Sequence, residues 1–185
     1  MNGVSRSHGV TLVELLVVVA IIGVVAVAAT PFLSNADPQR LERVASEIAG
    51  AIRFARSESL RTGEVHGVEI SQNTQRVKVY RADLSTTPVS EAEILYHPVA
   101  RQPFDFDLDT APLMSGATIV NTLDPFLYDS GRRKNLLFDA GGLPIWIVNA
   151  TGTTYILEDG VVQVSMGNLT RDVRVAPITG RVTVQ

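Results

Sequence analysis

Residues 9–33 of this 185-residue chain read GVTLVELLVVVAIIGVVAVAATPFL, a stretch with one charged side chain, Glu14. A helix needs about 20 apolar residues to cross a membrane, because each residue adds about 1.5 Å to its length. Residues 10–33 meet that requirement. We therefore predict a membrane-spanning helix here, followed by one modest globular domain.

Glu14 needs an explanation, since a carboxylate at the centre of a membrane costs about 2.5–3.5 kcal/mol on insertion scales. In an ordinary anchor helix, this side chain would reach the nearby interface. In a secretory signal peptide, Arg6 would supply the charged region and residues 26–28, Ala-Val-Ala, the cleavage site, so that a soluble protein is released. The apolar region of such a peptide usually spans only about 7 to 15 residues. Neither alternative accounts for the order of residues around Glu14.

Residues 9–15, GVTLVEL, resemble the prepilin cleavage and methylation motif of type IV pilins and type II secretion pseudopilins. The family usually has phenylalanine in place of Val10. The resemblance implies that a prepilin peptidase removes the leader, residues 1–9, by cutting after Gly9, and that the new N-terminal Val10 is methylated. It also implies that Glu14 of an incoming subunit meets the N-terminal amine of a neighbour during assembly, with residues 10–33 as the transmembrane and assembly helix.

A hinge is predicted between Gly23 and Pro31. Proline removes a backbone hydrogen-bond donor, and glycine costs about 1 kcal/mol relative to alanine in a helix. Pro31 also stands where the family has a proline, and the resemblance implies that pilin helices bend or unwind there when packed in a filament. The alternative is a proline that merely ends a membrane span.

Residues 34–62 are predicted to contain an amphipathic helix. Asp37 is a suitable residue just before a helix, and Pro38 suits the first helical position. Small and apolar side chains then recur at three- and four-residue spacing, which is typical of a helix that lays one face on a sheet. These positions are Leu41, Val44, Ala45, Ile48, Ile52, Ala55 and Ser59. The helix is expected to end at about Arg61, before Gly63.

Residues 63–185 are predicted to be a β-rich headgroup, because the apolar period changes to two after the helix. A hairpin is expected across residues 72–74, and a surface loop at 83–93. The predicted strands are 65–71, 75–81, 94–99, 104–108, 117–121, 136–139, 144–148, 154–158, 161–166, 172–176 and 181–184. A long helix followed only by strands predicts an α+β, pilin-like fold, in which the helix packs on an antiparallel sheet.

Three further stretches resemble the minor pseudopilin family that includes type II secretion protein H and the pilus protein called fimbrial T. They are residues 51–61, AIRFARSESLR, residues 138–142, FDAGG, and residues 179–182, TGRV. Without that pattern, Arg56 would be taken as part of an ordinary solvated helix face. The resemblance implies a minor subunit near a filament tip, held in the inner membrane by one helix, with a periplasmic or extracellular headgroup. Its implied partners are prepilin peptidase, other pilins or pseudopilins, and secreted proteins.

Binding of DNA is the second function considered, since some members of the pilus branch take up DNA. Six cations could collect phosphates. They are Arg132, Arg133, Lys134, Arg171, Arg174 and Arg181. However, the formal net charge is −3, and Thr183 stands where the DNA-binding pattern has a second arginine. Charges of this kind are more often solvated loop residues, so DNA binding is not favoured.

No catalytic or metal-binding pattern is evident. The chain has no cysteine, and its three histidines show no ligand spacing. Asp105, Asp107 and Asp109 resemble the start of a calcium loop, but Gly116 occupies the place of the bidentate glutamate. The alternation of these aspartates also fits a strand with one wet face. We therefore expect a protein without enzymatic activity, cofactor or metal.

Overall fold

The computed structural model describes residues 11–34, 36–112, 114–148 and 152–185, with side-chain exposure given for residues 11–23 and for those after residue 36. The predicted leader, residues 1–9, and Val10 lie outside the described residues. The chain divides into two compact units, one that ends at Asp37 and a headgroup, Pro38–Gln185.

Helix α1 runs over Leu12–Ser34, so the backbone is helical through both Gly23 and Pro31. Each residue from Thr11 to Gly23 is exposed. Among the residues that the structure describes, no helix is both long enough and apolar enough to span a membrane. The hinge and the membrane span therefore stay predictions.

Helix α2 runs over Ala36–Thr62. It starts before the predicted position, so Asp37 lies in its first turn instead of preceding the helix. The predicted apolar stripe is confirmed, because all seven of its members, from Leu41 to Ser59, are at most 1% exposed. The six apolar members pack with strand residues in one hydrophobic core, as expected for a helix that covers a sheet.

Twelve strands are assigned within the described ranges. They are β1 His66–Ser71, β2 Arg76–Asp83, β3 Ser90–Ile94, β4 Asp105–Asp107, β5 Thr118–Ile119, β6 Phe126–Tyr128, β7 Gly131–Arg133, β8 Asn135–Phe138, β9 Pro144–Ile147, β10 Thr154–Met166, β11 Leu169–Val175 and β12 Val182–Val184. Two helices followed by strands make the α+β class that the sequence predicts.

The strands form one antiparallel sheet in the order β12-β11-β10-β9-β8-β1-β2-β3. Strand β4 lies beside β2, β5 and β6 pair with β10, and β7 pairs with β6. The thirteen-residue strand β10 connects the two parts of the sheet: its first residues pair with β9, and its last residues pair with β11.

Four details of the strand prediction are wrong. The predicted loop at 83–93 contains edge strand β3, whose residues are mostly exposed and lack apolar alternation. The predicted strand at 94–99 is limited to the end of β3 and a single bridge between Tyr96 and Pro103. Strands 154–158 and 161–166 are one strand, because a bulge between Leu157 and Asp159 continues the pairing. The short hairpin of β6 and β7 was not predicted.

Gly67 permits a close approach between three neighbouring strands. It lies opposite Tyr80 in the β1–β2 ladder and opposite Leu137 in the β1–β8 ladder. A Cβ atom at Gly67 would stand 2.5 Å from Leu137 Cδ2, 2.9 Å from the Leu136 carbonyl oxygen and 3.2 Å from Tyr80 Cζ. Neighbouring strands, with the Leu137 side chain nearest, therefore occupy the space that a side chain at Gly67 would need.

We predict that Gly67→Ala destabilises the headgroup by about 1–3 kcal/mol, because the added methyl group overpacks the sheet. Gly50→Ala is the matched control: no atom lies within 4 Å of its Cβ position, and alanine is favoured in a helix by about 0.5–1 kcal/mol. Urea unfolding of the full chain in detergent, followed by fluorescence of Trp146, measures both changes. Equal unfolding midpoints for the two variants would contradict the conclusion that the sheet has no room for a side chain at Gly67.

Candidate assembly site and headgroup clamp

Thr11 caps the first turn of α1. The backbone N–H of Glu14 donates to Thr11 Oγ1 at 3.2 Å, and the N–H of Leu15 donates to the Thr11 carbonyl oxygen at 3.1 Å. A threonine followed three residues later by a glutamate is the sequence pattern of a capping box. The sequence interpretation concentrated on Glu14 and missed Thr11, although this spacing indicates the cap.

Glu14 therefore lies in the first turn of an exposed helix end. A carboxylate is favourable at this position, because the unpaired N–H groups there carry partial positive charge. Gly9 and Val10, the predicted cleavage site, lie outside the described residues. Gly23 and Pro31 are both within α1.

The three headgroup stretches that carry the family resemblance converge at the C-terminal end of α2. Arg56 is half-buried, and its Nε donates to the Gly142 carbonyl oxygen at 3.1 Å. Arg53 Nη2 donates to the carbonyl oxygen of Val182, on edge strand β12, at 3.0 Å. The reading of Arg56 as an ordinary solvated residue is therefore wrong: it joins the helix to a turn of the sheet.

Ser59 strengthens the same junction from inside the core. Its buried hydroxyl lies 3.0 Å from the Phe138 carbonyl oxygen, to which it can donate, and accepts the backbone N–H of His66 at 3.1 Å. This hydroxyl thus contacts backbone groups of β1 and β8, and it also lies 3.2 Å from the Ala55 carbonyl oxygen of its own helix. Hereafter, the headgroup clamp means Arg53, Arg56 and Ser59 with these backbone partners.

Two glycines make room for the clamp. Gly142 has a φ of +74° and Gly180 a φ of +61°, values that residues with a side chain rarely adopt. A Cβ atom at Gly180 would stand 3.0 Å from Arg56 Nε and 3.0 Å from Phe138 Cε1. At Gly142 it would stand 3.2 Å from Arg56 Nε. Both turns therefore require glycine for conformation and for space.

We predict that Gly180→Ala destabilises the headgroup more than Gly167→Ala, by about 1 kcal/mol or more, because only the first change overpacks a neighbour. Gly167 is the matched control, with a similar φ of +59° and no atom within 4 Å of its Cβ position. Urea unfolding of both full-length variants measures how much free energy of unfolding each substitution removes. Equal losses in the two variants would show that packing at the clamp is not the reason for glycine at position 180.

The predicted polyanion contacts lie on strands that are not neighbours in the sheet. Arg132 and Arg133 belong to β7, whereas Arg171 and Arg174 belong to β11, and β6 and β10 lie between these strands. Arg181 lines a cavity together with Arg174 and Asp159.

Several of these cations also have partners within the chain. Arg171 Nε lies 3.0 Å from a carboxylate oxygen of Glu42, and Arg174 Nη2 lies 3.0 Å from one of Asp172. Arg133 lies over the ring of Trp146, 5.8 Å from its centroid. Phosphates would have to compete with these contacts, which does not favour DNA as a ligand.

Lys134 belongs to an ion network on one face of the sheet. Its Nζ donates to Glu69 at 2.9 Å; Lys78 Nζ lies 3.7 Å from Glu69 and donates to Glu91 on edge strand β3 at 2.7 Å. Burial alone would raise the pKa of Glu69, but the hydrogen bond from Lys134 and the charges of both lysines outweigh it and hold that pKa below its ordinary value of 4.5.

A lowered pKa means that folding favours the charged carboxylate. This stabilisation is present above the ordinary pKa of Glu69 and is lost as the pH falls through its lower value in the folded protein. We predict that Glu69→Gln lowers the free energy of unfolding by about 1 kcal/mol at pH 7, with the difference shrinking below about pH 4.

Urea unfolding at several pH values compares Glu69→Gln with the wild type. Glu93→Gln is the control, because Glu93 is 62% exposed and lies 3.9 Å from Arg81, which gives at most a weak ion pair. If the loss of unfolding free energy in Glu69→Gln were the same at pH 7 and at pH 3, the charge of Glu69 would not be the source of its stabilising effect.

The aspartates considered for calcium have other partners. Asp105 forms an ion pair with Arg76, whose Nε donates to it at 2.6 Å, and Asp107 accepts the backbone N–H of Asp109 at 2.8 Å. Within the described ranges, no group of three or more His, Asp or Glu side chains is arranged to hold a metal ion.

Comparison with known proteins identifies the N-terminal segment. Residues 4–30 match the family model of the prokaryotic N-terminal methylation motif, which confirms the prepilin-type motif predicted at residues 9–15. No curated protein gives a significant match to the chain.

Two crystal structures of the type IV minor pilin FimU from Pseudomonas aeruginosa strain PAO1 are similar to this chain, each at 13% sequence identity. The first match covers 80% of this chain and 90% of FimU with a TM-score of 0.45. The second covers 78% and 92% with a TM-score of 0.44.

Proposed function

We propose that this chain is a minor pilin-like structural subunit, which a prepilin peptidase processes and which then assembles with other pilins or pseudopilins. The observation that carries the proposal is the match of residues 4–30 to the N-terminal methylation motif. The α+β headgroup, with a long helix laid on an antiparallel sheet, agrees with it. The role is structural instead of enzymatic.

In this proposal, residues 10–33 hold the protein in the inner membrane as a single span, with a periplasmic or extracellular headgroup. Nine large apolar side chains between Leu12 and Ile22 support it, since each is at least 48% exposed. Water would penalise this apolar surface, whereas lipid or neighbouring subunits would cover it. Gly23 and Pro31 supply the hinge when the helix packs into a filament.

The filament is a type II secretion pseudopilus or a type IV pilus, in which the subunit is used in few copies near the tip. The headgroup stretches 51–61, 138–142 and 179–182 support the minor-subunit assignment, and their pattern is shared by both machines. Loss of protein secretion on deletion would assign the pseudopilus, and loss of pili would assign the pilus.

We predict that co-expression with a prepilin peptidase yields a membrane-bound chain that begins with N-methylated Val10. Gly9→Val should remain uncut, because the residue before the scissile bond is changed. Intact mass and N-terminal analysis of the extracted protein read both outcomes. A chain that begins at Ala29 would instead indicate a signal peptide, and a wild-type chain left uncut would indicate an ordinary anchor.

The charge of Glu14 is proposed to act in assembly. A buried carboxylate without a partner is costly in a membrane, so a neighbour's N-terminal amine would stabilise it. We predict that Glu14→Gln is cleaved normally but is depleted several-fold from sheared filaments, because glutamine keeps the shape and loses the charge.

Thr11→Val is the matched control, since it removes the cap of α1 and keeps the carboxylate. It should enter filaments at close to the wild-type level. Assembly that suffers equally in both variants would mean that Glu14 acts through the start of the helix and not through its charge.

A further inference from the structure

The segment between β3 and β4 folds into a tight loop that is closed by backbone hydrogen bonds. The N–H of His97 donates to the Gln102 carbonyl oxygen at 2.8 Å, and the N–H of Arg101 donates to the His97 carbonyl oxygen at 3.0 Å. Tyr96 and Val99 on this loop are 61% and 84% exposed. The loop thus exposes two large apolar side chains on the surface of the headgroup.

The side chain of His97 organises this loop from within. Its Nδ1 accepts the backbone N–H of Val99 at 3.2 Å and that of Ala100 at 3.0 Å. A ring nitrogen can accept only when it carries no proton, so this arrangement requires the neutral imidazole with its proton on Nε2.

The same ring fixes the loop to the headgroup. Nε2 lies 3.4 Å from a carboxylate oxygen of Glu47 on α2, which is the charged side chain that the structure places against the ring from a packed element. The ring centroid lies 4.6 Å from that of buried Phe104, which in turn packs on Phe54 of α2 at 5.6 Å. His97 therefore connects the turn, the helix and the core.

We propose that His97 is a proton-operated latch, in which protonation of Nδ1 releases the turn at residues 98–100 while the ring stays held by Glu47 and Phe104. A proton on Nδ1 would face two N–H donors, so both of these hydrogen bonds are lost together. The Glu47 carboxylate attracts the protonated ring, so the ring stays at the helix while the turn is released. Arg101 is the cation that the loop itself carries.

The consequence is a pH-dependent position of the exposed Val99. The two bonds across the base of the loop, at Gln102 and Arg101, do not involve the ring and persist. Only the tip is therefore released.

His66 provides an internal contrast. Its Nδ1 lies 3.1 Å from the Glu64 carbonyl oxygen, which can only accept, so Nδ1 carries the proton in both charge states of this ring. The two histidines thus require opposite neutral tautomers. Protonation of His66 does not remove a backbone acceptor, so it should not open a turn.

Nitrogen NMR of the full chain in detergent micelles tests the proposal. At pH 8, His97 should show the Nε2–H tautomer and His66 the Nδ1–H tautomer. Between pH 8 and pH 5, amide exchange at Val99 and Ala100, corrected for its intrinsic pH dependence, should accelerate about fivefold to tenfold, as expected for loss of a single net hydrogen bond. The Arg101 amide should not change.

Two variants complete the test. His97→Phe keeps a ring on Phe104 without an acceptor, so exchange at Val99 and Ala100 should be fast at both pH values. Glu47→Gln leaves Nδ1 untouched and should keep the pH-dependent step, which retains a readout if the first variant does not fold. A His97 Nδ1–H tautomer at pH 8, or exchange at the tip that is independent of pH in the wild type, would overturn the latch.

Discussion

Burial of the apolar stripe of α2 under the sheet is the interaction on which the headgroup depends. Six apolar side chains from Leu41 to Ala55 enter the core and Ser59 is buried beyond them, so most of the helix is fixed against strands that are distant in sequence. The headgroup clamp then completes the C-terminal end, where Arg56 and Ser59 satisfy backbone groups of turns and strands. Apolar burial supplies the driving force, and these polar contacts fix the position of the helix.

The two helices have opposite relationships to their surroundings. One face of α2 is buried by the chain's own sheet, whereas the described side chains of α1 are exposed on all faces. Such an apolar helix needs cover from outside the chain. In the proposed function, the membrane and then neighbouring subunits would supply that cover, at the end of the chain on which cleavage and assembly are proposed to act.

Periodicity in the sequence predicted α2 and most of the central strands, because the spacing of apolar residues differs between an amphipathic helix and a strand with one buried face. It failed at β3, an exposed edge strand whose Glu91 pairs with Lys78 of the neighbouring strand. It failed again at Gly160, where a glycine between two apolar runs predicts a turn. The chain instead continues as strand β10, with a bulge just before this residue. The prepilin motif was recognisable because it is local. The role of Arg56 could not be read from composition, since its partner Gly142 is distant in sequence.

The claim that residues 10–33 hold the headgroup outside the cytoplasm is tested most directly by labelling Val99→Cys in cells. The chain has no cysteine of its own, and Val99 is 84% exposed, so this position is a unique and accessible target. A membrane-impermeant thiol reagent, applied after the outer membrane is opened, should label the variant while a cytoplasmic control protein stays unlabelled. Labelling that requires rupture of the inner membrane would place the headgroup in the cytoplasm and contradict the account.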